Sequence, residues 1–85
     1  MILRRSKLFI KQYKKLPHKV QIQFGDRLEL WLNEPNHPQL RNHPLVGAYL
    51  GYWSFNVTGD IRVLYYFEDK EIVVFALIGS HSQLY

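Results

Sequence analysis

Three short segments near the end of the chain leave it little choice of fold. Residues 50–57 read LGYWSFNV, 60–67 read DIRVLYYF and 71–78 read EIVVFALI. All are rich in β-branched and aromatic residues, which suit a pleated, half-buried surface. Thr58-Gly59-Asp60 and Glu68-Asp69-Lys70 make the two connections, and connections that short close antiparallel hairpins. A three-residue first turn sets Val57 opposite Ile61, Phe55 opposite Val63 and Trp53 opposite Tyr65. That register collects an apolar set on one face and leaves Ser54, Asn56 and Arg62 on the other. A two-residue turn would oppose Phe55 and Arg62 and mix the faces. The meander is therefore the scaffold, and its polar face is where function is expected.

The segments before it supply a cover for the apolar face. Residues 2–5 (ILRR) read as a short strand, and Ser6 suits an N-cap. Over 7–16, Phe9, Tyr13 and Leu16 recur at helical spacing, with Lys7, Lys11, Lys14 and Lys15 facing elsewhere. Pro17 ends this helix and fits the first turn of a second, over 17–32, whose apolar stripe is Val20, Phe24, Leu28, Trp31 and Leu32. Pro35 and Pro38 stop it. Residues 39–50 read as a linker carrying His43. The expected fold is α+β in the order β-α-α-β-β-β, an antiparallel sheet with a helical pair packed on one face.

The chain of 85 residues reads as one domain, and its thirteen aromatics (two Trp, six Tyr, five Phe) make a single core feasible. There is no cysteine, so thiolate metal sites and disulfides are excluded and a reducing cytoplasm is the expected compartment. The start, MILRRSK, has no signal-like apolar stretch, and the longest apolar run, Ile72–Ile78, is seven residues. A membrane span needs about 20, so no membrane partner is expected. The net charge of +4 hides an asymmetry: residues 1–25 hold seven Lys or Arg and no acid. Such a segment attracts polyanions, and equally forms a solvated helix face.

The four histidines, His18, His37, His43 and His81, do not fall at metal-ligand spacing, and no nucleotide-binding or serine-hydrolase motif is present. No metal and no cofactor are expected. What remains are acid–base groups at the ends of the strands: His43, Asp60 and His81, with Arg62 on the polar face and Tyr85 four residues beyond His81. Imidazoles ordinarily titrate near ~6.5 and serve as acid or base at neutral pH. An arginine adds a bidentate phosphate clamp, and an aromatic side chain stacks on a base. That set can move protons as a 2′-hydroxyl attacks an adjacent phosphate. Each member also has a plain structural reading: Asp60 as a turn residue, His43 as a loop residue before Pro44, and His81 and Tyr85 as exposed tail.

The residues His43-Pro44-Leu45-x-Gly47, Gly51-Tyr52, Val57-x-Gly59-Asp60-x-Arg62-x-x-Tyr65 and Ile78-Gly79-Ser80-His81-x-x-x-Tyr85 resemble the RelE/ParE toxin superfamily, most of all its YafQ-like branch. The resemblance covers nearly the whole chain. It implies the toxin of a type II toxin–antitoxin system, a metal-independent endoribonuclease that cuts mRNA on the ribosome and is held by a cognate antitoxin. In that pattern His81 is the general acid for the leaving 5′-oxygen, His43 the base, and Asp60 a positioning group. Arg62 contacts the scissile phosphate, Tyr85 the RNA, and Asn56 lies among the RNA-binding positions. The chain departs from the pattern at Asn56, where YafQ-like toxins carry a further histidine. Ser54 and Asn56 also stand where RelE-like ones carry lysines. An amide hydrogen-bonds but does not shuttle protons near pH 7. ParE-like members share the fold and poison DNA gyrase without a catalytic set, so that activity stays an alternative, as does a catalytically weakened remnant.

Overall fold

The hairpin register expected from the turn is the one the chain adopts. A computed structural model describes residues 1–85. Its elements are β1 (Ile2–Arg5), α1 (Lys7–Lys14), α2 (His18–Asn33), β2 (His43–Pro44), β3 (Trp53–Asn56), β4 (Ile61–Phe67), β5 (Ile72–Ser80) and α3 (His81–Leu84). Across β3 and β4, Trp53 opposes Tyr65, Phe55 opposes Val63 and Asn56 opposes Arg62. Phe55, Val57 and Val63 are buried against the helices, with Trp53 half-buried beside them.

The expected order holds with two additions and one change of direction. The strand order across the sheet is β1-β5-β4-β3-β2. The segment expected as a linker contributes β2, pairing His43 with Ser54, and the C-terminal tail coils into α3. The sheet is mixed rather than purely antiparallel, because β1 lies parallel to β5 with Ile2 beside Ile72 and Arg5 beside Phe75. Nothing local sets that choice: the helical pair is long enough to return the chain in either sense. Ser6 fixes the corner, its hydroxyl donating to the Ala76 carbonyl at 2.6 Å and accepting from the Phe9 amide at 2.9 Å. Beyond β1 the edge of β5 is unpaired, and Gln12 accepts from the Ile78 amide at 3.0 Å, as an orphan donor requires.

A bulge at Ala76 shapes the core. Leu64 opposes Leu77 but Tyr65 opposes Phe75, so β5 carries one extra residue and its alternation changes phase. Val73 and Phe75 face the helices on one side of the bulge, and Ile78 faces them on the other. Phe9, Phe24 and Trp31 close over them, Trp31 meeting Tyr65 edge-on at 5.1 Å. Leu32, expected on this stripe, is instead half exposed; a helix turn presents Trp31 or Leu32 inward, and the larger ring takes the place.

The opposite face is partly roofed. A Cβ on Gly79 would meet Gln83 and Leu84 at 3.0 and 3.4 Å, so α3 crosses there, and the Tyr49 hydroxyl donates to the Leu84 carbonyl at 2.7 Å. Ser54, expected on the polar face with Asn56 and Arg62, lies on that face opposite Leu64 and is fully buried.

The Tyr65 phenol links core and edge. It accepts from Trp31 Nε1 at 3.2 Å and donates to Asn42 Oδ1 at 2.5 Å, tying α2 through β4 to the residue before His43. Burial pushes its pKa above 10.0, with the two hydrogen bonds opposing the shift. A raised acid pKa means that the folded state holds the proton more tightly. Its contribution is therefore intact below the ordinary phenol value and lost as pH rises beyond it. Tyr65→Phe should cost about 1–3 kcal/mol by orphaning Asn42 and Trp31. The gap between wild type and variant should narrow as pH rises past the ordinary phenol value of about 10, as read from denaturant melts; a gap that is constant with pH would contradict the burial argument.

Candidate active site

Three separated stretches of chain bring side chains to one shallow cleft of about 260 Å³, lined by His43, Leu45, Arg62, His81 and Tyr85. Its size is below the roughly 300–1,000 Å³ of small-molecule pockets, and it is open rather than enclosed, as suits a polymer strand lying across it. Of the residues singled out from the sequence, the structure gathers His43, Arg62, His81 and Tyr85 here. Leu45, its apolar wall, carried no signal beyond following Pro44.

His43 is presented by β2, and its Nδ1 lies 2.6 Å from the Arg41 carbonyl. A carbonyl only accepts, so the neutral ring keeps its hydrogen on Nδ1 and leaves the Nε2 lone pair free. His81 opens α3, where Ser80 and Gln83 form a reciprocal capping box. Its amide donates to the Asp60 carbonyl at 3.2 Å, pinning the helix to the β3–β4 turn. The His81 ring lies 4.6 Å from that of Tyr85, and Tyr85 rests edge-on against Tyr49 at 5.6 Å. The last residue is thus buttressed from two sides. No sequence pattern pointed to Tyr49.

Arg62 sits opposite Gly79 on β4, a partner with no side chain to crowd it. Its Nε donates to Asn56 Oδ1 at 3.2 Å, and its Nη1 is buried without a hydrogen-bond partner. Asn56 therefore reaches the cleft through Arg62 rather than by lining it. Asp60 is exposed, with its amide bonded to Thr58 Oγ1 at 3.2 Å. Only its backbone carbonyl touches the His81 segment. Two imidazoles, a guanidinium and a stacking ring around one cleft can exchange protons with, and neutralise charge on, a phosphodiester.

A wider groove of about 350 Å³ runs along α1, lined by Leu8, Lys11, Gln12, Lys15, Leu16, Ile78 and Gln83. It holds two cations but no imidazole or acid, so it offers no acid–base pair. No helix is long and apolar enough to cross a membrane.

Comparison with solved structures finds the same fold in several toxins. YafQ from E. coli superposes with a TM-score of 0.83 at 21% identity, covering 98% of this chain and 96% of that one. YafQ in the E. coli DinJ–YafQ complex superposes with a TM-score of 0.80 at 23% identity, covering 98% and 96%. A metal-bound toxin from Helicobacter pylori gives 0.74 at 23% identity, covering 100% and 99%. A comparison with curated protein sequences finds no match. The family model for the YafQ toxin, described as a bacterial toxin of a type II toxin–antitoxin system, matches residues 1–85. The chain belongs to the YafQ family and is the toxin of a type II toxin–antitoxin system.

Proposed function

We propose that this toxin cleaves mRNA on the ribosome without a metal ion, by general acid–base catalysis in the His43/His81 cleft. The observation that carries the reading is the convergence of both imidazoles and Arg62 on one open cleft, from positions 43, 62 and 81 that only the fold unites. His43, with Nε2 free, takes the proton from the 2′-hydroxyl, whose oxygen attacks the adjacent phosphorus. Arg62 neutralises the charge that gathers on the non-bridging oxygens. His81 gives its proton to the departing 5′-oxygen, leaving a 2′,3′-cyclic phosphate, which hydrolysis opens to a 3′-phosphate, and a 5′-hydroxyl. Tyr85 stacks on a neighbouring base. Asp60 holds the His81 helix through its carbonyl, and Asn56 orients Arg62.

The partner is a cognate antitoxin, as in the DinJ–YafQ complex. The basic, apolar-floored groove along α1 suits an acidic amphipathic helix. The test is toeprinting of a translating ribosome with purified toxin, with or without the antitoxin, and end-group analysis of the fragments. Cleavage that leaves a 2′,3′-cyclic or 3′-phosphate with a 5′-hydroxyl and stops on adding antitoxin is expected. Intact mRNA with inhibited gyrase supercoiling would replace this reading with the gyrase one, and fragments carrying a 5′-phosphate with a 3′-hydroxyl would rule out attack by the 2′-hydroxyl.

A further inference from the structure

Behind Arg62 lies a second groove, of about 280 Å³, lined by Arg27, Gln39, Arg41, Asn56, Val57, Thr58, Gly59 and Arg62. Three of these are arginines and none is an acid, so the charges on its lining are all positive. Arg62 lines both this groove and the His43/His81 cleft, so the two meet at one side chain. Its buried, unpartnered Nη1 is a donor without an acceptor at that junction.

Of the other two arginines, Arg27 is held through its side chain and Arg41 through its backbone. Arg27 leaves α2 and donates from Nη1 to Gln39 Oε1 at 2.9 Å, and both residues line the groove. Arg41 has φ of 47°, a left-handed conformation uncommon for a residue with a Cβ and enriched at functional sites. The same residue supplies the carbonyl that orients His43. A shift at Arg41 therefore moves the groove and the base together.

We propose that this groove is a second phosphate subsite. It receives the backbone phosphate one linkage away from the scissile one, on the same RNA strand, through Arg27 and Arg41. The proposal rests on the ribonuclease reading for the identity of the strand. Its consequence is that the toxin grips the strand at two successive phosphates and so sets the register of the bond between His43 and His81. Guanidinium forks match phosphate oxygens bidentately, and a site with two such forks and no acid has no competing internal partner.

The test uses a single-stranded oligoribonucleotide blocked by a 2′-O-methyl group at the cleavage position. Each flanking linkage is replaced in turn by an uncharged methylphosphonate. With wild-type toxin, one flanking replacement should weaken binding about tenfold. The Arg27→Gln/Arg41→Gln variant should bind the all-phosphate strand about as weakly as that, lose about 0.7 from the salt-dependence slope, and show no further loss with the methylphosphonate. Both arginines are at the surface and the glutamines keep much of the stem, so a melt confirms folding. Equal methylphosphonate penalties in wild type and variant would overturn the subsite, as would a variant that weakens only on whole ribosomes, which would assign the arginines to ribosomal RNA. Wild-type toxin that grips the blocked strand in this manner yet leaves ribosome-bound mRNA intact would keep the subsite and remove the ribonuclease reading.

Discussion

His81→Ala is expected to slow cleavage of ribosome-bound mRNA by about 10²–10⁴-fold, the usual contribution of one general acid, with the fold intact. The two halves of that expectation have separate grounds. The ring is exposed and its one aromatic contact is a tilted one with Tyr85 at 4.6 Å. What anchors α3 is the Ser80–Gln83 capping box, the buried Leu84 and the His81 backbone amide on Asp60. Alanine keeps all three. A change in Tm of more than a few degrees would therefore mean that the ring does structural work not visible in its contacts. On a gyrase-directed toxin the same substitution has no effect on activity. A folded His81→Ala protein cutting mRNA at the wild-type rate removes His81 as the acid.

How much of this was legible in the sequence follows from the range over which each feature is decided. The β3–β4 register was legible because a turn three residues long and a period of two leave one arrangement that separates the faces. The Ser6 cap was legible for the same reason, being settled within three residues. The direction of β1 was not, since its partner lies about seventy positions away and both senses satisfy the same apolar pattern. The bulge at Ala76 was hidden by the run Ile72–Ile78, which is apolar at every position and so shows no change of phase. Alternation placed Ser54 on the face of Asn56 and Arg62, where it lies, but says nothing of how deeply it is buried there.

The candidate site divides in the same way. His43, Arg62, His81 and Tyr85 stood out as residue types with chemistry to offer, and the fold brings them together. Arg27 and Arg41 did not stand out. An arginine on a helix and another in a loop are ordinary surface residues until tertiary packing sets both beside Arg62. Asp60 was singled out as a carboxylate, whereas its visible contact with the His81 segment is through its carbonyl, a group that every residue carries.

Arg62→Ala should cost about 10²–10³-fold in cleavage, the loss seen when a fixed donor to a charged transition state is removed, with Tm unchanged or slightly higher. The direction of the stability effect follows from Nη1. A buried donor without a partner is a standing cost, and truncation removes it, while the freed Asn56 Oδ1 is half-exposed and can turn to water. Opposite lies Gly79, so no side chain at the paired strand position loses a neighbour. Arg62→Lys keeps a charge but gives up both the fork and the Nε bond to Asn56, so it should recover only part of the rate. If the guanidinium acts on charge developing in the transition state, the loss appears in kcat; a loss confined to KM would make it a ground-state RNA contact. Single-turnover cleavage with melts on the same preparations separates these outcomes. A rate that falls only in step with Tm would show that Arg62 holds the sheet and does not act on the phosphate.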